Sequence, residues 1–301
     1  MHKRLKSRCF SQSLPAIALG LALCATGPVA AQDPARLEIY TPVALTADLS
    51  HLSNQQKRMV SLLIDAADIT DDLFWRQQYG DRDTLLGSLD DPRVRRFAEI
   101  NYGPWDRLND DQSFIEGFGP RPLGAQFYPV DMTREEFEAW DQAGKDGLYS
   151  LVRRDEKGKL TLLPYREAYA PELARLAALL REAADLAEDE GFAHYLRLRA
   201  EALVTDEYQA SDLAWMDNKT NPVEVVIGPI ENYQDRLFGY RAAFETFVLI
   251  KDLAWSERLS RFADFMPELQ QGLPVTEAYK AEMPGSDADL NAYDVVYVAG
   301  D

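Results

Sequence analysis

Residues 223–252 read VEVVIGPIENYQDRLFGYRAAFETFVLIKD, and this stretch decides the fold class. It begins with a β-branched run, Val223 to Ile227, which is typical of a strand. Gly228-Pro229 interrupts the run, because glycine permits unusual φ angles and proline cannot donate to a strand ladder. A second apolar run, Phe244 to Ile250, predicts a second strand. We therefore expect a hairpin-like pair of strands late in the chain.

Three side chains of this stretch, Glu231, Tyr233 and Glu245, are candidate site residues. Glu231 and Tyr233 alternate with Asp235, so an extended segment would place these three on one face. Glu245 lies inside an apolar strand, where an acid is costly unless it has a partner. One interpretation is a cleft in which the two glutamates bind a cationic group, such as the free amine of a peptide. The tyrosine hydroxyl would then donate to a carbonyl oxygen as that oxygen gains charge.

Two other interpretations of the same acids stay open. Glu231 and Glu245 would face solvent or pair with Arg236 and Arg241, and spacing alone favours this structural interpretation. Alternatively, the two glutamates would be the carboxylate pair of a hydrolase that works without a metal, as glycosidases do. Nothing in the sequence beyond the two acids supports such a hydrolase.

The motif I-G-P-I-E-N-Y-Q-D, followed by G-Y-R-A-A-F-E-T-F-V, resembles the dipeptidyl peptidase III family of zinc metallopeptidases, peptidase family M49. The resemblance implies that Glu231 holds the peptide N-terminus and that Tyr233 is catalytic, assisting at the scissile carbonyl. It makes Glu245 a second substrate-binding acid. It covers roughly Thr70 to Asp301. Three further stretches resemble the bacterial branch: D-L-F-W-R-Q-Q-Y-G-D from Asp72, R-R-F-A-E-I-N-Y-G-P-W-D-R from Arg95 and P-L-G-A-Q-F-Y-P from Pro122.

The metal site of the family has no counterpart in this sequence. The family binds zinc through a His-Glu-x-x-x-His helix and a later Glu, and neither the His-Glu pair nor the spacing occurs here. We therefore assign no metal ligand, and zinc is implied only for the complete family member. His51 and His194 are isolated, so we interpret them as structural. The sequence ends at Y-D-V-V-Y-V-A-G-D, where the family would continue toward the zinc helix, so a C-terminal catalytic part is an expected missing partner.

The first 31 residues have the pattern of a secretory leader. A basic start is followed by a short apolar run, Leu14 to Leu23, and by the small-residue cleavage site Val29-Ala30-Ala31. The apolar run is too short for a membrane anchor. We therefore expect the protein to be exported to the periplasm or the medium. A lipoprotein attached at Cys24 is the less favoured alternative, because Leu23 is large where a small residue is expected before the cysteine.

Composition excludes several function classes. Both cysteines, Cys9 and Cys24, lie in the leader, so the mature chain has neither a thiol nucleophile nor a disulfide. Removing the four basic leader residues leaves 28 basic against 50 acidic residues. Such a surface repels nucleic acid and anionic membranes, so we predict neither as a partner of the mature form. The ligand that we expect, from the family resemblance, is a peptide substrate.

The pattern of the mature chain predicts an α+β fold that is mainly helical, with a small late β-sheet or partial barrel. This would be the substrate-cleft half of a two-lobed peptidase. We predict one region, 32–301, with a helical part over 50–216 and a strand-containing cleft part over 222–301. Helices are expected after the capping boxes Ser53-x-x-Gln56 and Thr133-x-x-Glu136, over Pro171 to Glu190 ending at Gly191, over Phe192 to Leu203, over Tyr208 to Met216 and over Trp255 to Met266 ending at Pro267.

The first functional hypothesis is an exported dipeptidyl peptidase III-like protein that comprises the peptide-binding portion without the metal centre. The complete enzyme would remove dipeptides from peptide N-termini by zinc-dependent hydrolysis. The alternative is a peptide-binding or interaction module that hydrolyses nothing. The resemblance implies a zinc metallopeptidase, and we expect this chain alone to be inactive because it lacks the His-Glu-x-x-x-His motif.

Overall fold

The computed structural model describes residues 35–281 and 290–300. The predicted leader therefore lies outside the described residues, as do residues 282–289 of the polar loop that the sequence predicts over Leu273 to Asp289. Over the described part no helix is both long and apolar enough to cross a bilayer.

The helices are α1 Asn54–Gln78, α2 Arg82–Gly87, α3 Pro92–Asn101, α4 Arg134–Ala139, α5 Tyr165–Ala168, α6 Ala170–Leu186, α7 Glu190–Thr205, α8 Gln209–Asp217, α9 Leu253–Ala263, α10 Met266–Gly272 and α11 Glu277–Lys280. The strands are β1 Trp105–Asp106, β2 Gln112–Ser113, β3 Ser150–Arg154, β4 Leu160–Pro164, β5 Val223–Glu231, β6 Ala243–Asp252 and β7 Ala292–Ala299.

The long helix α1 is the centre of the molecule. The predicted capping box starts it, because the Ser53 hydroxyl accepts from Gln56 N and the Gln56 side chain accepts from Ser53 N. One face of α1 packs on α6 and another on β6. A buried hydrogen bond of 2.7 Å joins the hydroxyls of Thr70 and Thr246 across the second of these contacts. The helix thus fixes the sheet to the helical layer.

The helical layer is formed by α1, α6 and α7, with α8 against α7. The sequence correctly predicts these helices but misplaces one boundary. Helix α6 ends at Leu186, and Gly191 lies in the first turn of α7. The reason is a local cap: the Asp189 carboxylate accepts from Phe192 N at 2.9 Å, which begins a new helix before the glycine.

The loop between α3 and α4 is rich in aromatic residues and packs on the helices. Trp105 and Asp106 of this loop are both buried. The Trp105 indole donates to Gly119 O at 2.9 Å, and the Asp106 carboxylate accepts from Arg36 Nε at 2.8 Å. Both side chains therefore have structural partners.

The late strands form an antiparallel sheet in the order β5-β6-β7. Val223 pairs with Ile250 at one end and Gly228 with Glu245 near the other. The two strands predicted from residues 223–252 are confirmed, and β7 adds a third strand beside β6. Over the described residues the sheet is open, so the fold is α+β without the partial barrel.

Proline 267 does not end the preceding helix as the sequence predicts. Helix α9 ends at Ala263, and Pro267 lies in the first turn of α10. Proline is tolerated there because the first N–H groups of a helix have no intrahelical acceptor. Helix α9 packs on β6 and β7, and it leaves several large apolar side chains exposed, among them Trp255 and Phe262.

Candidate functional site

The turn after β5 is built around a buried carboxylate. The strand ends at Glu231, and the chain then folds back before β6 begins at Ala243. Asp235 is only 2% exposed, and it accepts from the Tyr128 hydroxyl at 2.6 Å. It also accepts from four backbone N–H groups of the turn, those of Leu237, Phe238, Tyr240 and Arg241. Asp235 thereby determines the shape of the turn.

The sequence placed Asp235 on the same face as Glu231 and Tyr233, and this prediction is wrong. Alternation holds only in extended backbone, and the strand has already ended at Glu231. Glu231 and Tyr233 are exposed, whereas Asp235 points into the protein. The five donors that surround the Asp235 carboxylate stabilise this inward position.

The nearby arginines have partners other than the predicted glutamates. Arg241 is fully buried, and its guanidinium donates to Lys145 O at 2.6 Å and to Gly147 O. Arg236 forms an ion pair with Asp111. These contacts of Arg236 and Arg241 are with groups other than Glu231 and Glu245. They therefore do not support the interpretation in which the two arginines neutralise those glutamates.

Tyr233 lies on the wall of a groove with a volume of about 610 Å³. Its side chain is 51% exposed, so part of it can be reached by a ligand. The groove lies between the turn after β5, helix α3 with the segment that follows it, and the end of β7. We call it the Tyr233 groove, and its lining is Tyr40, Arg96, Glu99, Ile100, Tyr102, Arg107, Leu108, Tyr233, Gln234, Arg236, Val298 and Gly300.

Glu245 lies directly behind this wall. It is 1% exposed, and it packs on the backbone of Gly300, which lines the groove. A Cβ atom at Gly300 would approach Glu245 Cγ to 2.8 Å and Phe244 O to 3.2 Å, and Gly300 has a φ of +89°. Glycine is therefore required here by both space and backbone conformation.

Glu231 occupies the exposed end of β5, opposite Ala243. Of the three predicted site residues, the described lining of the groove includes only Tyr233. The structure thus puts Tyr233 on the groove, Glu245 behind it and Glu231 two residues along the chain at the strand end.

Sequence reasoning missed the arginines of the groove. Arg96, Arg107 and Arg236 line it together with a single acid, Glu99, which pairs with Arg96 at 3.0 Å. A signal was present, because the stretch R-R-F-A-E-I-N-Y-G-P-W-D-R that resembles the bacterial branch includes Arg96, Glu99, Tyr102 and Arg107. Its residues converge on the groove only through the turn that follows α3.

Tyrosines of the groove are held in their neutral form. Tyr102 donates its hydroxyl to Asp71 at 2.7 Å. Burial, followed by the Asp71 charge, raises the pKa of Tyr102 above its ordinary range. Burial and the nearby Asp106 also raise the pKa of Tyr40. These groups are therefore hydrogen-bonding donors near neutral pH rather than bases.

The described residues do not fit a zinc site. No group of three or more His, Asp or Glu side chains within 35–281 and 290–300 is arranged to hold a metal ion. His51 and His194 are exposed, His51 before α1 and His194 on α7. The aspartates along α1 have other partners, since Asp68 accepts from Tyr297, Asp71 from Tyr102 and Asp72 from Arg82.

Comparison with solved structures finds strong similarity to dipeptidyl peptidase III structures. DPP III from Caldithrix abyssi is 40% identical with a TM-score of 0.81, over 87% of this chain and 52% of that chain. Dipeptidyl-peptidase III from Corallococcus sp. strain EGB is 33% identical with a TM-score of 0.78, over 89% of this chain and 53% of that chain.

A curated relative is more distant in sequence. Nudix hydrolase 3 of Arabidopsis thaliana is 29% identical over 88% of this chain and 42% of its own length. The chain thus spans about half of the solved relatives and less than half of the plant protein.

The model of peptidase family M49 matches residues 145–300, more than half of the 301-residue chain. This match includes β5, the turn with Tyr233, β6 and β7. Together with the two solved relatives, it shows that the chain belongs to peptidase family M49, the dipeptidyl peptidase III family.

Proposed function

We propose that this chain is the peptide-binding portion of an exported dipeptidyl peptidase III-type enzyme. The observation that carries the proposal is Tyr233, exposed on the wall of the groove within a matching family motif. In this proposal the groove accepts the N-terminal part of a peptide. Peptidases of this family are generally zinc-dependent, and the complete family member would remove dipeptides.

Each predicted site residue has a role in the proposal. Glu231, at the exposed end of β5, binds the peptide amine by a charge-assisted hydrogen bond. Tyr233 donates its hydroxyl to the scissile carbonyl oxygen, where negative charge develops during hydrolysis. Glu245, buried behind Gly300, lies within the wall of the groove and supports it rather than contacting the peptide directly.

The metal centre is proposed to lie outside the described residues, since these do not offer a ligand set. Peptide binding without hydrolysis is accordingly the second candidate for this chain by itself. A hydrolase based on two carboxylates has less support, because Glu245 is buried behind the groove whereas Glu231 is exposed at a strand end.

Peptide binding tests the proposal directly. The chain without its predicted leader would be titrated with a short peptide in two forms, one with a free amine and one N-acetylated. We expect acetylation to remove most of the affinity, because the amine is the group that Glu231 binds. Equal affinity of the two forms would overturn the assigned role of Glu231.

Two variants locate the effect. Glu231→Gln and Tyr233→Phe should each leave folding intact because both side chains are exposed, and Glu231→Gln should weaken binding of the free-amine form about tenfold. Glu201→Gln, an exposed change of the same charge on α7, is the matched control. Zinc content and cleavage of a dipeptidyl-naphthylamide would be measured on the same preparation, and bound zinc with cleavage would contradict a binding-only chain.

Export is a separate part of the proposal. The sequence predicts cleavage after Ala31, so the mature protein should begin at Gln32. Intact-mass measurement of the secreted or periplasmic protein would check this, and retention of the uncleaved chain in the cytoplasm would contradict it.

A further inference from the structure

A buried glutamine lies on the wall of the Tyr233 groove. Gln234 follows Tyr233 in the turn after β5 and precedes Asp235. It is among the residues that line the groove, although it is only 2% exposed. Gln234 thus combines a position on the groove with nearly complete burial.

The side-chain amide of Gln234 has an unsatisfied donor. Its nitrogen is buried, and among the described residues it has no hydrogen-bond partner. Burying an amide N–H without an acceptor costs free energy, and buried polar side-chain atoms in folded proteins are mostly hydrogen-bonded. The unsatisfied donor of Gln234 belongs to a side chain that borders a groove with room for a ligand.

Other buried glutamines show that burial alone does not explain this. Gln77 of α1 is fully buried, yet its nitrogen donates to Ala242 O at 3.4 Å and its oxygen accepts from Phe244 N at 2.8 Å. The nitrogen of Gln78 also lacks a partner, but Gln78 borders a cavity of only about 10 Å³. Such a cavity has room for one water molecule at most. The groove beside Gln234 has a volume of about 610 Å³.

Charge by itself does not define the ligand of the groove. Three arginines and four acids lie on its wall, behind it or in ion pairs with it: Arg96, Arg107, Arg236, Glu99, Asp111, Asp71 and Glu245. Because both signs are present, neither an anion nor a cation is singled out along the whole groove. Neutral hydrogen-bonding groups of the wall therefore matter for what it binds.

A glutamine amide is complementary to a peptide bond. It offers two N–H donors and one carbonyl acceptor, and a half-turn of the terminal group exchanges its nitrogen and its oxygen. Gln234 can thus direct an N–H toward the groove without any change in the turn that Asp235 stabilises. Main-chain carbonyl oxygens are acceptors of the matching kind, and a peptide has one at every position whatever its side chains.

We propose that Gln234 is a specificity-determining residue of the Tyr233 groove and donates its side-chain N–H to a main-chain carbonyl oxygen of the peptide ligand. This inference rests on the proposed function, since it concerns the same ligand in the same groove. The carbonyl belongs to a peptide bond other than the scissile one, which Tyr233 contacts. Such a hydrogen bond selects a peptide main chain over simple amines and is independent of the peptide's side chains.

Backbone-modified peptides test the contact. One tetrapeptide with a free amine would be compared with analogues in which each peptide bond in turn is replaced by an ester, a weaker acceptor. Affinities would be measured for the wild type and for Gln234→Met, which keeps a long unbranched side chain and removes its amide. We expect Gln234→Met to bind the all-amide peptide about tenfold more weakly, since one hydrogen bond is lost.

The ester series then locates the contact. An ester at one position should weaken binding by the wild type and make little further difference in Gln234→Met, because the bond is already lost. Tyr233→Phe should show the same behaviour at a different position. If Gln234→Met weakens every analogue by the same factor, or is coupled to the same position as Tyr233→Phe, the proposal is overturned.

Thermal stability separates ligand binding from a structural role. Gln234→Met should melt at the same temperature as the wild type or higher, because it removes a buried donor that has no partner. A lower melting temperature together with a uniform loss of affinity would show that Gln234 only shapes the turn, and this result would contradict the proposed contact.

Gln77→Met is the matched control, because it makes the same change at a buried glutamine whose amide has partners. It should lower the melting temperature, since the Phe244 N–H loses its acceptor, and it should be coupled to no single ester position. Coupling of Gln77→Met to the same position as Gln234→Met would argue against a direct contact and overturn the inference.

The outcomes also distinguish this inference from the function on which it rests. Binding that requires the free amine but shows no ester position coupled to Gln234 would overturn the inference and leave the proposed function intact. Absence of binding by every peptide would overturn both.

Discussion

The helical layer and the groove region of this protein stabilise their buried side chains in different ways. In the layer, the inward side chains of α6, such as Leu176 and Leu180, are fully buried among α1 and α7 and need no polar partner. In the groove region, Asp235 and Arg121 are nearly as buried, but both depend on hydrogen bonds and ion pairs. An apolar side chain can be buried without a polar partner, whereas a buried charged side chain requires one.

This difference determines which substitutions would disturb each region. Asp235 accepts from five donors and Asp111 pairs with both Arg121 and Arg236, whereas the helical layer is stabilised by packing. Three changes to the protein would break or sharpen the comparison.

The largest effect is expected in the helical layer. Leu180→Ala should lower the free energy of unfolding by about 2–5 kcal/mol, because it removes buried methyl groups and leaves a cavity. Chemical denaturation would measure the loss. Leu179→Ala, at the neighbouring half-buried position, is the control and should cost less. Equal losses at the two positions would contradict the burial difference on which the comparison rests.

A somewhat smaller effect is expected in the turn of the groove region. Asp235→Asn should lower the free energy of unfolding by about 1–3 kcal/mol, because an amide nitrogen would face N–H donors that now have an acceptor. Denaturation together with limited proteolysis of residues 232–242 would detect the loosened turn. Asp217→Asn, an exposed change of the same kind, should have little effect. If Asp235→Asn were as stable as the wild type, the role assigned to Asp235 in stabilising the turn would be wrong.

The smallest effect concerns an acid on the helical side of the sheet. Glu224 of β5 is buried and accepts from Trp215 Nε1 at 2.9 Å, and burial raises the pKa of its carboxyl. Hydrogen bonds from Asn221 and Trp215 and the charge of Lys251 offset this only in part. The folded state therefore binds the Glu224 proton more tightly than the unfolded state does.

The sign of the pH dependence follows. This carboxyl lowers stability as pH rises from its unfolded pKa through its raised folded pKa, and the cost is fully present above the folded value. Glu224→Gln should remove that cost, so the stability of the variant relative to the wild type should increase as pH rises toward 7. Melting temperatures over a pH series would check this, and parallel curves for the two proteins would show that Glu224 does not titrate differently on folding.

Local patterns predicted most of the elements. The capping boxes at Ser53 and Thr133 start α1 and α4, and the β-branched run from Val223 gives β5. The boundaries at Gly191 and Pro267 were wrong because each residue fits the first turn of the next helix as well as the end of the preceding one. A motif two to four residues long does not distinguish these positions.

The candidate site was predictable only in part. Tyr233 was found through its family motif, and the groove that it lines was not, because the groove is assembled from distant segments. The exposed side chains of α9 make the same point, since Trp255 and Phe262 follow an apolar periodicity like that of α6 yet remain uncovered over the described residues. Periodicity specifies a face, and the rest of the fold decides whether anything covers it.

The sequence by itself determined the helices, the two central strands and the motif that carries family membership, because these depend on residues within a few positions of one another. Only the tertiary structure decided that Asp235 turns inward, that Glu245 lies behind Gly300 and that Asp111 is shared by two arginines. The physical reason is distance along the chain: the Tyr128–Asp235 hydrogen bond joins residues 107 apart and the Asp111–Arg236 pair residues 125 apart. Such contacts form only when the helical layer has brought the segments together.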